Sequence, residues 1–486
     1  MKRLWLVTLL LAVGCGSTLN ESAQTTTATG NGLAPAPVQQ APVTSEPTAA
    51  RGGASTATTI GTPTGTTTSV APSRAAASSS ATASRPTLAA NHDPIKIGFV
   101  TTGVGNAQSL GVNAGQSYSD KDMFGALVAA YNAHGGIAGH RIIPVYGATD
   151  TASSNWANQF AAVCAQFTQD NHVAAVIGYV FVFLPSFERC LANAHVPHLY
   201  GGYQPGDVID QQQYPTLVST ANPTTDGAML TVLDGALRTG LLTKTTKLGL
   251  LLDTCADGDR AYSRTIEPWL KAHGLNYQTV IGNCAQGATD VSGAVSAVSN
   301  AELRFATSGV KLVFGSAVEM LLFMEDAQTQ GYQPNYLTGV GGAALEANAP
   351  ASQLQHLYGF GWLPAVDVDP AHQPAPRRAP QKACLAMLAK HGLQAKQYND
   401  FMAAYAACDG LSLYAKALAA GATTAQEVVA QVSAAQASLA GALTYDGQLR
   451  ATSAQHGGPG VYREYAWSPA CSCLTYRGPT YPVPSP

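Results

Sequence analysis

No pattern in this chain places residues for catalysis or for metal binding. A nucleophile elbow G-x-S-x-G, a Walker loop, an H-E-x-x-H zinc motif and a G-x-G-x-x-G turn opening a helix are all missing from the sequence. The densest acidic stretch, 253–259, partly resembles a calcium loop, but its third position is Cys255 and its twelfth is Arg264, where calcium needs a bidentate glutamate. The acids of this stretch are better explained as caps of the following helix. We therefore predict that the protein is not an enzyme and has no metal or cofactor.

The cysteines are the next chemically informative residues. Nine are present, and eight remain when Cys15 is set aside as part of an export signal. An even number in an exported chain indicates disulfides, and sequential pairing is the simplest of the 105 possible connectivities. The pair Cys471–Cys473 is the least secure of the four, because so short a ring is strained. A zinc site is the alternative, but no C-x-x-C spacing supports it. The predicted disulfide cysteines are Cys164, Cys190, Cys255, Cys284, Cys384, Cys408, Cys471 and Cys473.

The N-terminus has the pattern of an export signal followed by a linker. Lys2 and Arg3 precede an apolar run at 4–13 that is too short to span a bilayer, and Ala12-Val13-Gly14-Cys15 resembles a bacterial lipobox, in which the cysteine is lipidated. An ordinary secretory signal with an incidental cysteine is the alternative. Residues 16–93 consist mostly of Thr, Ser, Ala, Pro and Gly, a composition that cannot bury enough apolar surface to fold. We predict a signal peptide over 1–15, lipidation at Cys15 and a disordered tether over 16–93, with the protein outside the cytoplasm and held at the cell membrane.

Composition argues against a nucleic-acid partner. Charged residues make up 11% of the 486 residues, and the formal net charge of −3 is accompanied by no basic cluster. Nucleic-acid binding depends on clustered Lys and Arg that neutralise phosphates.

The elements that must position any binding site are clearest over 95–145. A β-branched run at 95–100 predicts a strand, and Phe124, Leu127, Val128 and Tyr131 follow at helical spacing before a second apolar run at 141–146. The unit is a strand, a loop, a helix and a strand. Because ligands in open α/β sheets bind where loops leave the carboxyl ends of strands, the loop at 101–119 is the first candidate for ligand contacts.

Strands and helices alternate through the rest of the chain up to a short strand near 462–467. This alternation predicts α/β layers with parallel sheets. About 390 residues exceed the size of one hydrophobic core, so we predict two lobes.

The order of motifs resembles one known family. The stretch "IKIGFV…YNAHGGIAGHRIIPVY" is similar to the opening of leucine-binding-protein-like, branched-chain amino-acid ABC transporter substrate-binding proteins, which have the type I periplasmic binding protein fold. "VAAVIG", "KLGLLLDTCADGDRAYS", "GATDVSGAVSAVSN" and "LVFGSAVEMLLFMEDAQTQGYQPNYLTG" are similar to later family segments in the same order. The resemblance covers about 95–467.

The resemblance implies two Rossmann-like lobes joined by three hinge crossovers, with a ligand in the cleft between them. On this sequence, lobe 1 would comprise 94–220 and 340–448. Lobe 2 would comprise 221–339 and 449–486 with a C-terminal tail, and the hinges would lie near 216–223, 336–342 and 358–367. The family closes over its ligand as a clamshell.

The resemblance also implies which positions contact the ligand, and there the chain departs from the family. Amino-acid binders place Ser or Thr hydroxyls after two strands of lobe 1, where this chain has 179–183 and 200–203 with almost none. The family's acid for the ligand amine falls close to Gly341, and its second-lobe aromatic corresponds approximately to Asp257. An amino acid would therefore bury charges without partners. The candidate ligand contacts are Gln116, Tyr118, Tyr179, Phe181, Tyr203, Asp257, Ser316, Gly341 and Trp362.

Two of these candidates have structural alternatives. Ser316 with Glu319 also forms a capping-box pattern, which we favour over ligand contact. Phe181, together with Phe183, is equally well explained as lobe core. The aromatic candidates favour an apolar or aromatic ligand.

The functional hypothesis is a lipid-anchored, extracytoplasmic, monomeric solute-binding protein that delivers a small molecule to an ABC permease. The alternative is a ligand-sensing module of the same fold that serves a membrane receptor or an envelope complex.

Overall fold

The structure is a computed structural model that describes residues 92–103, 116–178, 180, 182–202, 205–287, 291–372, 377–436, 438–451 and 456–486. Within these residues the chain forms two sheets, each covered by helices. The predicted α/β class with two parallel-sheet lobes is confirmed. The predicted signal peptide, Cys15 and the tether to residue 91 lie outside the described residues.

The first sheet has five parallel strands in the order β2-β1-β3-β4-β5. Its strands are β1 (Ile95–Gly103), β2 (Ile142–Asp150), β3 (Ala175–Gly178), β4 (His198–Tyr200) and β5 (Leu217–Ser219). The helices between them are α1 (Asp120–Ala133), α2 (Trp156–Ala165, extended by a π-helical turn at Gln166–Asp170), α3 (Pro185–Asn193) and α4 (Val208–Gln213). The strand–loop–helix–strand unit predicted for 95–145 is thus β1, α1 and β2.

The second sheet has seven strands in the order β12-β11-β10-β9-β8-β6-β7. They are β6 (Lys247–Asp253), β7 (Asn276–Gly282), β8 (Leu312–Phe314), β9 (Asn335–Thr338), β10 (Leu357–Gly361), β11 (Val461–Ser468) and β12 (Cys473–Pro482). The helices that accompany this sheet are α5 (Thr225–Arg238), α6 (Ala256–Ala261, followed by a π-helical turn at Tyr262–Ile266), α7 (Glu267–Ala272), α8 (Val291–Ser308), α9 (Ala317–Gln330), α10 (Gly342–Asn348), α11 (Ala351–Leu354) and α12 (Pro364–Asp367). β11 pairs antiparallel with both β10 and β12 at one edge, whereas the other neighbouring strands pair parallel.

Three helices return to the first sheet: α13 (Ala379–Ala389), α14 (Tyr398–Ala419) and α15 (Ala425–Gln436). α14 is buried along most of its length, and its small residues allow close packing on the sheet. A Cβ added to Gly410 would lie 2.7 Å from Cγ2 of Ile177, and one added to Gly201 would lie 2.8 Å from Cβ of Ala406. The Ala-rich sequence of this helix is therefore a packing requirement of the first lobe.

Three predicted assignments that involve the second lobe need correction. Residues 340–448 were expected in lobe 1, but β10 pairs parallel with β9 in the second sheet, so the chain returns to the first lobe only after α12. For the same reason 336–342 is no hinge, because β9 lies between β8 and β10 inside that sheet. The tail expected after β11 is in part the edge strand β12.

All four sequential cysteine pairs are formed. Cys164–Cys190 joins α2 to α3, Cys384–Cys408 joins α13 to α14, and Cys255–Cys284 joins the loops that follow β6 and β7. Cys471–Cys473 closes the turn between β11 and β12. In the described part of the chain, no helix is both long and apolar enough to cross a membrane.

Candidate functional site

The carboxyl-terminal strand ends of the two sheets face each other, and one arginine connects them. Asp207 and Asp210 belong to the segment between β4 and β5 of the first lobe, whereas Arg260 lies on α6, which follows β6 of the second lobe. Nε of Arg260 lies 2.7 Å from Oδ2 of Asp207, and its Nη2 lies 3.1 Å from Oδ1 of Asp207 and 2.6 Å from Oδ2 of Asp210. We call these three residues the interlobe ion cluster.

Both aspartates of the interlobe ion cluster also accept hydrogen bonds from backbone N–H groups within the first lobe. Asp207 is the N-cap of α4, and its Oδ1 accepts hydrogen bonds from the backbone N–H groups of Ile209 and Asp210. Each aspartate side chain is only 2% exposed, and that of Arg260 is 30% exposed. Burial and the neighbouring Asp207 raise the pKa of Asp210 to about 7, against the opposing effect of Arg260. The cluster thus stabilises the two lobes in contact, with Arg260 supplying its positive charge.

A second contact between the lobes lies at the rim of the cleft. The backbone N–H of Trp156, which begins α2, donates a 3.0 Å hydrogen bond to the carbonyl oxygen of Gln286 in the loop after β7. A Cβ added to the next residue, Gly287, would lie only 2.2 Å from the carbonyl oxygen of Ser154. Glycine at 287 is therefore required for the backbones to approach this closely. The disulfide Cys255–Cys284 ties this rim loop to the loop that precedes α6.

Trp362, a predicted ligand contact, is instead part of the hinge. Its side chain is 1% exposed, and its Nε1 donates a 2.7 Å hydrogen bond to Oδ1 of Asn222, in the crossing from β5 to α5. The amide of Asn222 in turn donates to the carbonyl oxygen of Gly202 at 2.6 Å. Beside this crossing, Ser219 forms a parallel β-bridge with Gly457 in the segment that leads back to β11, and its backbone N–H donates a 2.8 Å hydrogen bond to the carbonyl oxygen of His456. Trp362 therefore has no free face toward a ligand in this structure.

The two candidate ligand contacts in the first loop, Gln116 and Tyr118, form hydrogen bonds within the first lobe. The amide of Gln116 donates a 2.8 Å hydrogen bond to Oδ1 of Asp120, whose Oδ2 accepts from the backbone N–H of Thr102. The hydroxyl of Tyr118 donates to the carbonyl oxygen of Asp400, and burial raises the pKa of this tyrosine well above its ordinary value. These contacts fix the C-terminal end of the loop against α1 and α14.

The candidates in the second lobe lie on the cleft side of their strands. Oδ2 of Asp257, on α6, accepts a 2.8 Å hydrogen bond from the hydroxyl of Thr225 at the start of α5, and burial raises the pKa of Asp257. Ser316 is exposed at the N-cap of α9, and its side chain makes no capping hydrogen bond. Gly341 is buried with φ of 103°, a conformation that favours glycine. Tyr179, Phe181 and Tyr203 lie outside the described residues.

Beside these candidates, a small cavity of about 30 Å³ contains two carboxylates. Asp253 ends β6 and Glu319 lies in the first turn of α9, and both line the cavity with apolar groups such as Leu251 and Val298. Oε2 of Glu319 has no hydrogen-bond partner among the described residues, and burial raises the pKa of Glu319 to about 7.

The raised pKa of Glu319 predicts a stabilising substitution. In the folded chain the carboxyl binds its proton more tightly than in the unfolded chain, so its contribution to stability falls as pH rises from about 4.5 to about 7. We expect Glu319→Gln to raise the free energy of unfolding by on the order of 1–3 kcal/mol at about pH 8, and by less at about pH 5. Urea unfolding at both pH values measures this difference.

Glu427→Gln is the matched control, because its expected effect has the opposite sign. Hydrogen bonds from Thr423 and Thr424 lower the pKa of the exposed Glu427 to about 2, so its charged form stabilises the fold above the unfolded pKa. A loss of stability in Glu319→Gln at about pH 8 would contradict the assignment of Glu319 as a destabilising buried acid.

The residues that join the lobes were missed by sequence reasoning. Asp207 and Arg260 are 53 positions apart, and each is an ordinary polar residue near a helix start. Gly287 lies in a loop whose composition predicts only a turn, whereas Asn222 lies in the predicted hinge at 216–223 but was not singled out as a contact. The acidic stretch at 253–259 was interpreted only as caps of the following helix; in the structure it covers the end of β6 and the start of α6, the helix that carries Arg260.

The fold and this geometry together define a two-lobed α/β protein whose lobes meet at the carboxyl ends of their strands. Residues 94–458 match the model of a family described as periplasmic binding protein. The chain belongs to this family, and the predicted resemblance is confirmed. No curated protein sequence matches the chain.

Solved structures support the same fold at low sequence identity. The substrate-binding protein of an ABC transporter from Desulfitobacterium hafniense, in complex with Leu, is 14% identical with a TM-score of 0.54, covering 79% of this chain and 100% of that one. The branched-chain amino-acid transporter substrate-binding protein of Streptococcus pneumoniae, in complex with isoleucine, is 18% identical with a TM-score of 0.53 over the same shares. A solute-binding protein of an ABC transporter from Rhodopseudomonas palustris HaA2, in complex with p-hydroxybenzoic acid, is 17% identical with a TM-score of 0.55, covering 80% of this chain and 98% of that one.

Proposed function

We propose that this protein captures a small molecule in the cleft between its lobes and delivers it to an ABC importer, without converting it chemically. The observation that carries the proposal is the pair of interlobe contacts: the interlobe ion cluster, and the rim contact of Gln286 and Gly287 with 154–156. Both join the strand ends where ligands bind in sheets of this type. Contacts that form only when the lobes meet suit a clamshell that closes over its ligand.

The proposed ligand is not a standard amino acid. Gly341, close to which the family's acid for the ligand amine falls, has no room for a side chain, because a Cβ there would lie 2.7 Å from Cβ of Ala317. An ammonium group bound at that point would therefore lack its charged partner. The similar structures with hydroxybenzoates motivate the inclusion of aromatic acids among the compounds to be tested.

A thermal-shift screen of the mature chain tests this proposal. A ligand that binds the folded state at 100 times its Kd stabilises it by about 2.7 kcal/mol, so we expect a clear rise in Tm for one chemical class among aromatic acids, amino acids, amines and sugars. Mass spectrometry should then recover the bound compound unchanged. A library of this breadth without any stabilising compound would refute the proposed capture of a metabolite, and recovery of a converted product would refute pure binding.

The alternative role is a sensor module for a membrane receptor or an envelope complex. The departure from the amino-acid clamp at Gly341 and Asp257 motivates it. Crosslinking in intact cells with the ligand bound distinguishes the two roles: an importer component should capture a permease, and a sensor should capture a signalling receptor.

We also propose that lipidated Cys15 anchors the protein to the membrane, with 16–93 as the tether. The sequence of 12–15 supports this, together with the polar composition that follows it. We expect Cys15→Ser to move the protein from the membrane fraction to the soluble extracytoplasmic fraction, as a single lipid-modified cysteine provides the anchor. Fractionation followed by immunoblotting measures the change, and Cys255→Ser serves as a cysteine-replacement control that keeps the anchor. Equal membrane retention of Cys15→Ser would exclude lipidation at this residue.

A further inference from the structure

Three side chains from separate segments meet beside the turn between β11 and β12. They are Glu346 on α10, His372 after α12 and Cys473 at the start of β12, and one potential ligand atom of each lies within 4.8 Å of the others. Nδ1 of His372 is 3.4 Å from Oε1 of Glu346. The other carboxylate oxygen of Glu346 accepts a 3.1 Å hydrogen bond from the backbone N–H of Leu474, which orients the carboxylate beside the cysteine.

The disulfide of this turn keeps the sulfur of Cys473 from acting as a thiolate ligand. Cys471–Cys473 spans a single residue, Ser472. The φ of Ser472 is 53°, in the left-handed region that residues other than glycine rarely adopt. Cys471 is exposed, whereas Cys473 is only 1% exposed. A disulfide that closes so short a loop restricts the unfolded chain least and therefore stabilises the fold least. Strained or exposed disulfides are also the ones most readily reduced.

We propose that reduction of Cys471–Cys473 opens a binding site for a divalent transition-metal cation of the zinc class. The thiolate of a small dithiol attacks the exposed Sγ of Cys471, the Sγ–Sγ bond breaks, and Cys473 leaves as a thiolate beside His372 and Glu346. The second thiol of the reductant resolves the mixed disulfide, so that two electrons pass to the protein and the reductant becomes a disulfide. Metal binding then displaces the protons of the two thiols.

The reduced form offers the types of ligand that a zinc-class ion prefers. Two thiolates, one imidazole and one carboxylate make four ligands of the types found in tetrahedral zinc sites. Glu346 and His372 come from an ordered helix and the segment after α12, and Cys473 from a sheet strand, so the site is largely positioned before the metal arrives. The redox state of the disulfide would then determine whether the site can bind metal.

Cobalt binding to the full chain tests the proposal, because Co²⁺ reports thiolate ligation by a charge-transfer absorption band. The chain is reduced with limiting dithiothreitol and freed of it by gel filtration without oxygen. Differential alkylation and mass spectrometry then identify which disulfides opened. We expect Cys471 and Cys473 to be alkylated first, and the band to appear in the reduced chain and not in the oxidised one. Opening of this disulfide last, or equal Co²⁺ binding by both forms, would overturn the proposal.

Variants separate this site from adventitious thiol binding. Cys471→Ser frees Cys473 without any reductant, and we expect it to bind Co²⁺ with a weaker thiolate band. In the reduced wild-type background, His372→Gln and Glu346→Gln should each weaken Co²⁺ binding by more than about tenfold, since loss of even an outer-shell partner costs that much. Unchanged affinity in both variants would overturn the proposed ligand set, even if the thiolates alone bind the metal.

Discussion

Arg260→Ala is expected to shift the protein from its closed form toward an open one. The substitution leaves the carboxylates of Asp207 and Asp210 without their shared cation, which is most unfavourable while the lobes are in contact and both acids are buried. Truncation of one partner of a buried, hydrogen-bonded ion pair typically costs about 2–5 kcal/mol. The closed form should be destabilised by an amount in this range, whereas the open form lets both acids return to water.

Small-angle X-ray scattering of the mature chain measures this change as a larger radius of gyration. Fluorescence transfer between dyes on the two lobes provides a second, independent distance. Arg264→Ala is the matched control, because Arg264 is an exposed arginine one helical turn beyond Arg260, and we expect it to leave both measurements unchanged. If Arg260→Ala has the same radius of gyration and transfer efficiency as the wild type and the control, the interlobe ion cluster does not hold the lobes together.

The pH dependence of closure follows from the same cluster. Protonation of Asp210, whose pKa is raised to about 7, removes the repulsion between the two acids and leaves Arg260 with Asp207 as an ordinary ion pair. Above that pKa both acids are charged, so Arg260 contributes more to the stability of the closed form. The difference between wild type and Arg260→Ala should therefore be larger at about pH 8 than at about pH 5.

The periodic parts of the fold were predictable from the sequence, and the parts set by distant contacts were not. The run at 95–100 and the helical spacing of Phe124, Leu127, Val128 and Tyr131 identify β1 and α1, because both patterns arise from burial of one side of a local element. β12 was missed because an exposed edge strand has no buried run, and this one contains Gly478 and Pro479.

The site was predictable only as a location. Asp257 and Ser316 lie just after the carboxyl ends of β6 and β8, as the order of elements predicts, and their contact with a ligand stays a prediction. The roles of single side chains depended on partners far away in the chain. Trp362 was predicted to offer its ring for stacking on a ligand. In the structure its indole N–H donates a hydrogen bond to Asn222, 140 positions earlier, and this buried contact is part of the hinge.

Gly287→Ala is expected to hold the cleft open by steric contact alone. The added methyl group would lie 2.2 Å from the carbonyl oxygen of Ser154 in the other lobe, whereas a carbon and an oxygen normally approach to about 3.3 Å. The rim must therefore separate by about 1 Å or more, and overpacking of this kind typically costs about 1–3 kcal/mol. The backbone at Gly287 is not in the left-handed region, so alanine introduces no conformational strain of its own.

The steric origin of this effect makes it separable from a loss of stability. Because the open form gives the methyl group free space, Gly287→Ala should enlarge the radius of gyration and weaken ligand-induced stabilisation while the Tm of the ligand-free chain changes little. Gly125→Ala is the matched control, since its Cβ would meet Oη of Tyr146 at an ordinary 3.6 Å within the first lobe. Combined with Arg260→Ala, the substitution should add little further opening, because both act on the same closed form and a rim already separated cannot clash. A fully closed Gly287→Ala protein would mean that the rim approach of Gly287 to Ser154 is not needed for closure.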